Sequence, residues 1–150
     1  LVYEHGPSLE NALDPVRTSV LVGMMKQVLI SGSGRGATLS GFTHPAAGKT
    51  GTTNNNRDTW FMGFTPHVAT VVWVGYDDGS TTRLTGASGS VPIWTEFMKT
   101  IATRFPPDDF PWPEGTVKVT LDKDDLEALN ALRERDPDQT ELIFAEGTEP

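Results

Sequence analysis

The densest chemistry in the sequence lies in Gly48-Lys49-Thr50-Gly51-Thr52-Thr53, which puts one cation, three hydroxyls and two glycines within six residues. One use for such a set is to cradle phosphate. A phosphate loop of the form G-x-x-x-x-G-K-[ST] needs glycine six positions before the lysine. That position is Thr43, and Gly41 lies two residues too early. Pro45 precedes the segment, and Asn54-Asn55-Asn56 follows where a helix should begin. Gly32-Ser33-Gly34-Arg35-Gly36 is only loosely like a dinucleotide fingerprint, and it follows a helical pattern instead of a strand. Nucleotide binding is therefore disfavoured.

A second use is on the edge of a strand. Residues i and i+2 of a strand face one way, so Thr50 and Thr52 share one face and Lys49 and Gly51 the other. A Lys charge with Thr hydroxyls on one strand can hold a substrate that ends in a carboxylate. Gly51 lets a substrate backbone come close to the strand. Lys49 has to reach over or around the strand edge, which its four-carbon stem allows. The triplet Lys49-Thr50-Gly51 is a K-T-G motif, known from serine acyl-enzymes that act on penicillins and related peptides. Alone it is a weak signal.

The elements that must position it read as follows. Asp14-Pro15 starts a helix, with an N-cap oxygen and then a proline at the first helical position. Val16, Val20, Leu21, Met24, Met25, Val28 and Leu29 repeat at helical spacing as its apolar face, with the Met pair as core filling. Gly32 and Gly34 end it. Ala46 to Thr53 is extended, Trp60 to Phe64 is a strand, and Val68 to Val74 is a nearly continuous apolar run read as a strand buried on both faces. Together they suggest a three-stranded antiparallel meander. Residues 79–90 form a Gly/Ser/Thr-rich loop. Ser90 caps a second helix with Ile93, Trp94, Phe97, Met98 and Ile101 on its apolar face. Val117 to Leu121 reads as an edge strand, and Asp122 as the cap of a short third helix through Leu126, Leu129 and Leu132. At the start, Leu1 to Glu4 resembles the end of a strand, with turn residues at His5 to Ser8.

Composition limits the classes. The chain has 150 residues, a net charge of −8, 37% hydrophobic residues and no cysteine. It is the length of one ordinary domain and too apolar to be disordered throughout. It has no 18-residue apolar run and no secretory n-region at its start. Disulfides, thiolate metal sites and cysteine nucleophiles are excluded. Acidity argues against nucleic-acid partners. The charge is uneven: residues 1–107 hold eight basic and seven acidic residues, and residues 108–150 hold four and thirteen. Pro106, Pro107, Pro111 and Pro113 mark the change as a linker or extended strap, so residues 108–150 are expected to be an acidic, solvated C-terminal extension.

The flanks of K-T-G give it weight. His44 to Asn54, Asp58 to Pro66 (Asp-Thr-Trp-Phe-Met-Gly-Phe-Thr-Pro) and Val72 to Asp77 (Val-Trp-Val-Gly-Tyr-Asp) closely resemble the penicillin-binding proteins. More narrowly, they resemble the transpeptidase domain of the class A, bifunctional enzymes that polymerise and cross-link peptidoglycan. Gly32 to Ala37, Val91 to Trp94, Phe97-Met98 and Glu146 to Pro150 extend the likeness, which covers about residues 14–121 well and 122–145 poorly. The implied fold is α/β, an antiparallel sheet flanked by helices of the penicillin-binding/serine β-lactamase type, here only as its C-terminal half within residues 1–107. The implied activity is serine D,D-transpeptidation of D-Ala-D-Ala peptides, with peptidoglycan stem peptides and β-lactam antibiotics as ligands. The implied location is extracytoplasmic, with a membrane anchor absent from this chain. The family's roles transfer to Lys49 (proton movement and field at the serine), to Thr50 and Thr52 hydroxyls (substrate carboxylate) and to the Thr52 amide (oxyanion donor). Gly51 permits close approach, and Thr53 belongs with Thr50, Gly51 and Thr52 to the expected substrate-binding set. No cofactor or metal is implied.

The family pattern also requires S-x-x-K and S-x-N before K-T-G. None of the eight serines here begins either motif. A companion N-terminal fragment is thus expected to supply the nucleophile, to bury the apolar strands, and to leave this chain alone inactive. The alternative is a non-catalytic module that holds stem peptides or β-lactams on the K-T-G strand. Trp60, Trp73 and Tyr76 read as core and sheet-surface residues, Asp58 as the pin of a turn, and His44 as structural. His5 and His67 lack metal spacing.

Overall fold

The computed structural model describes residues 12–129 and 137–150. The strand reading at Leu1 to Glu4, the turn at His5 to Ser8 and Leu132 lie outside the described residues.

Helix α1 (Pro15–Ile30) starts as the sequence indicates: the Asp14 carboxylate accepts the Arg17 amide at 2.8 Å, and Pro15 occupies the first turn. A short α2 (Gly36–Leu39) follows. Strands β1 (Ala47–Thr52), β2 (Thr59–Phe64) and β3 (Ala69–Val74) form the antiparallel meander in the order β1-β2-β3. Asn55 and Asn56 turn the chain between β1 and β2 at positive φ, a conformation Asn adopts more readily than most residues. Helix α3 (Ser90–Ala102) packs on β2 and β3. Strand β4 (Thr116–Asp122), helix α4 (Lys123–Ala128) and strand β5 (Gln139–Ala145) complete the chain, with β4 and β5 as a separate antiparallel ribbon.

The core sits on one face of the meander. Trp94 of α3 is its centre, edge-on to Phe42 and Phe61 with ring centroids 5.1 Å away in both cases. Its indole N–H donates to Gly63 O at 3.3 Å. A Cβ at Gly63 would lie 2.5 Å from the indole, so only glycine lets helix and sheet meet there. Leu29, Ala37, Val91, Met98 and Ala102 fill the rest.

Several expectations are corrected. The buried stripe of α1 is Ser19, Gly23 and Leu29, whereas Leu21 and Met24 are exposed and Met24 is not core filling. The cause is tertiary: Ile143 of β5 lies where a Gly23 side chain would be, 2.6 Å from its Cβ position. Strand β3 is not buried on both faces; Ala69, Val71 and Trp73 are exposed and Thr70, Val72 and Val74 half-buried. Ile93 and Phe97 also point outward from α3. Ser90 is not the cap of α3. Gly89 is, because the Ser90 hydroxyl is already committed to a fully buried 2.7 Å hydrogen bond with Thr59 Oγ1. The α4 cap is as read, with Asp122 and Asp125 exchanging bonds in a capping box, but the helix ends at Ala128.

The proline-rich stretch crosses from α3 to β4 as a strap. Phe110 is buried edge-on to Phe64 at 5.5 Å. Asp109 accepts from Lys26 of α1 at 2.8 Å, and Lys26 and Lys118 lie 5.2 and 5.1 Å from the Trp112 ring centroid. Leu121, Leu126 and Ile143 are buried, so the acidic stretch is a folded extension lying on α1.

Candidate active site

β1 has β2 on one side and, among the described residues, no strand on the other. Its phase is fixed by Thr53, whose amide donates to Asp58 O at 3.0 Å. Residue pairs of an antiparallel ladder alternate between bonded and non-bonded. The neighbouring pair Thr52–Thr59 is therefore non-bonded, and the backbone groups of Thr52 and Thr50 face the free edge. The Lys49 ammonium bends back to that edge, donating to Thr50 O at 2.8 Å.

The side chains divide as strand geometry demands. The Thr50 hydroxyl lies 2.6 Å from Ser33 Oγ, and Thr52 Oγ1 accepts the Gly86 amide at 3.0 Å. Gly48 shares this face, pressed on Phe61 so closely that a Cβ would sit 2.7 Å from its ring. Lys49 and Gly51 occupy the opposite face, paired across the ladder with Met62 and Trp60. Thr53 has a different role: it accepts the Asp58 amide at 2.8 Å and donates to the Asp58 carboxylate at 3.1 Å. Asp58 also accepts from the Trp73 indole at 3.0 Å, which makes it the pin of the β1–β2 turn.

The loop 79–90 folds back over the threonine face. Thr82 donates its amide and hydroxyl to Asn56 O at 2.8 and 2.7 Å. Gly86 lies flat on the ladder, where a Cβ would come within 2.8 Å of Trp60 O and 2.9 Å of Gly51 O. Ser33 and Gly86 were not legible as site residues. Both sit in glycine-rich stretches, and glycine-flanked polar residues are the one local hint of a tightly packed turn. His44 stacks on Phe42 with centroids 5.9 Å apart, consistent with its structural reading, and His67 stacks on Phe105 and bonds to Asp108 at 3.2 Å.

No acid pairs with Lys49 among the described residues. The free edge thus presents an ammonium, backbone groups and two hydroxyls with neutral partners. Such an edge can hold an anionic terminus and donate to an oxygen that gains charge.

No protein-family model matches the chain. Sequence relatives do: penicillin-binding protein 1A of Aquifex aeolicus is 35% identical over 149 residues, 98% of this chain and 20% of that protein. Penicillin-binding protein 1B of Vibrio cholerae is 39% identical over 116 residues, 77% of this chain and 14% of that protein. The crystal structure of penicillin-binding protein 1A from Haemophilus influenzae superposes with a TM-score of 0.66 over 87% of this chain, at 25% identity. The chain belongs to the class A penicillin-binding family. Within that family it matches the C-terminal part of the transpeptidase domain, and its mixed α/β fold is a partial penicillin-binding fold. It spans about a fifth or less of the length of these relatives. The Aquifex match also carries the likeness to this penicillin-binding family through the extension beyond residue 121.

Proposed function

We propose that residues 1–150 supply the K-T-G strand of a peptidoglycan D,D-transpeptidase. The observation that carries this reading is the free edge of β1, where the Lys49 ammonium and the outward backbone of Thr50 and Thr52 meet. In the proposed reaction, a serine from polypeptide outside residues 1–150 attacks the D-Ala-D-Ala amide carbonyl, D-Ala leaves, and an amine of a second stem peptide takes the acyl group. The Thr52 N–H donates to the oxyanion. The Thr50 and Thr52 hydroxyls hold the terminal carboxylate, Lys49 supplies positive field and assists proton transfer, and Gly51 leaves room for the peptide backbone. Thr53 supports the set by fixing the strand end. β-Lactams occupy the same edge.

The outside polypeptide carries S-x-x-K and S-x-N and covers the second face of the meander. That face is apolar and exposed at Trp60, Met62, Val71 and Trp73, beside Lys49. Exposed apolar surface of this kind marks an interface. In this reading residues 1–107 complete the transpeptidase domain, residues 108–150 are its acidic extension, and the protein works outside the cytoplasm, anchored by a segment not in this chain and accompanied by a glycosyltransferase. No helix among the described residues is long and apolar enough to cross a membrane.

The test is mass spectrometry after β-lactam treatment of the complete protein. The penicilloyl adduct is expected on a serine outside residues 1–150, and residues 1–150 alone are expected to remain unlabelled. An adduct on any Ser or Thr of this chain would overturn the division of labour. Binding without any adduct would favour a non-catalytic module.

A further inference from the structure

We propose that Ser33 is a positioning residue for substrate carboxylate recognition, acting through the hydroxyl of Thr50. The inference rests on the reading of Thr50 as a carboxylate ligand.

Ser33 sits in a turn whose backbone has almost no freedom. The Gly32 amide donates to Gln27 O at 3.0 Å, and the Gly34 amide to Val28 O at 2.8 Å. A Cβ at Gly32 would lie 2.8 Å from Val28 Cα, and one at Gly34 would lie 3.2 Å from Val28 Cγ1 and 3.3 Å from the Phe61 ring. The two glycines therefore lay the turn flat on the end of α1 and hold Ser33 between them. Its side chain is exposed, yet its one hydrogen bond among the described residues is the 2.6 Å contact to Thr50 Oγ1. A serine placed this rigidly, with its hydroxyl spent on a K-T-G threonine, has a use beyond ending a helix.

The use follows from counting protons. Each hydroxyl has one proton, and the pair consumes one in its mutual bond. When Ser33 donates to Thr50, the Thr50 proton is left to point at an approaching anion. Accepting one hydrogen bond also makes Thr50 a better donor of its own, because bonds in a chain polarise each other. Without Ser33 the Thr50 hydroxyl rotates freely and loses that bias. The Thr52 hydroxyl needs no such help, since the Gly86 amide already occupies it as an acceptor and leaves its proton free. Thr50 and Thr52 are thereby set in the same way, one by a serine hydroxyl and one by a backbone amide.

The experiment compares acylation of the complete protein by benzylpenicillin and by its methyl ester, which lacks the free carboxylate. Ser33→Ala is expected to slow acylation by the acid roughly tenfold, the scale of one hydrogen bond, while changing the ester rate little. Ser33→Thr, which keeps the hydroxyl, is expected to retain the preference for the acid. In a Thr50→Val background Ser33→Ala is expected to add no further loss. Equal losses on acid and ester, no loss at all, or failure of Ser33→Thr to retain the preference would overturn the role of Ser33. If the parent protein itself shows no preference for acid over ester, the carboxylate role of Thr50 fails first. Melting curves of both variants accompany the rates: a Ser33→Ala protein that loses its fold would leave Ser33→Thr and the parent to decide, and loss of preference in Ser33→Thr would then count against the proposal.

Discussion

The two faces of the β1-β2-β3 meander are made from the same short strands and differ in almost every physical respect. One face carries Gly48, Thr59, Phe61 and Gly63, all buried, with one glycine where Trp94 of α3 presses on the sheet, another under the Phe61 ring, and a hydroxyl pair where Thr59 meets Ser90. The other carries Lys49, Trp60, Met62, Val71 and Trp73, all exposed. The Trp60 and Trp73 rings lie 6.1 Å apart across neighbouring strands. The first face is finished by α1 and α3 of this chain. The second is largely apolar and, away from Phe64 where Phe110 of the strap packs, stays exposed at Trp60, Met62, Val71 and Trp73; the proposed catalytic lysine stands at its margin. On β1 the proposed site draws on both faces: Lys49 stands on the exposed one, and the Thr50 and Thr52 hydroxyls lie one residue step away on the other.

That contrast also explains what the sequence disclosed. The positions of β1 to β4, the Asp14-Pro15 helix start and the Asp122 cap are local signals, and they were readable. Which apolar residue is buried is a tertiary fact. The repeat Val20, Leu21, Met24 looks like a buried stripe until Ile143, far along the chain, claims the surface at Gly23. The run Val68 to Val74 looks buried twice over from its composition, yet α3 packs on one side and Val71 and Trp73 on the other stay exposed. β5 went unread because Gln139–Ala145 shows its character only when paired with β4. Of the site, K-T-G and its flanks were legible because they are contiguous. Ser33 and Gly86 were not, because they reach β1 from 17 and 34 residues away, at Thr50 and Thr52.

The largest expected effect tests the closed face. Trp94→Ala removes the side chain that joins α3 to Phe42, Phe61 and Gly63, and is expected to cost about 3–5 kcal/mol in the complete protein. Val71→Ala and Met62→Ala on the other face decide whether the contrast is real in the assembled state. If outside polypeptide covers that face, each is expected to cost roughly 1–3 kcal/mol, well beyond the ~0.5 kcal/mol typical of surface changes. Urea unfolding of the three variants measures all of this at once. Surface-like values for Val71 and Met62 would show the second face open, and would remove the covering partner from the proposal.

Lys49→Ala separates chemistry from stability at the margin between the faces. Lys49 is exposed and its one bond among the described residues is to the carbonyl of the next residue, so the melting temperature is expected to hold. Acylation by a labelled penicillin is expected to fall on the order of 10²–10³-fold, as when a donor to a developing charge is lost. An unchanged labelling rate would take Lys49 out of the mechanism and return it to the surface.

The smallest effect lies in the strap that ties the C-terminal ribbon to α1, the helix that helps close the first face. Partial burial of Asp109 would by itself raise its pKa. The bond from Lys26 at 2.8 Å, the Phe110 amide at 2.8 Å, the Lys26 charge and the Trp112 indole at 3.3 Å outweigh it, and the carboxyl is held below its ordinary value. A carboxylate with a depressed folded-state pKa stabilises the fold above its unfolded value of about 3.9 and loses that contribution as pH falls through the folded value. Asp109→Asn is therefore expected to be less stable than the parent at neutral pH, by under about 1 kcal/mol because the pair is part-exposed and screened. The difference should shrink below about pH 4, where the parent's carboxylate also takes up its proton. Raised salt at neutral pH should shrink it too. Urea midpoints of the two proteins at neutral and acid pH measure the gap. A gap that stays constant across that range would mean that the strap is held by the packing of Phe110 on Phe64, with the Asp109 charge contributing nothing to the closed side of the molecule.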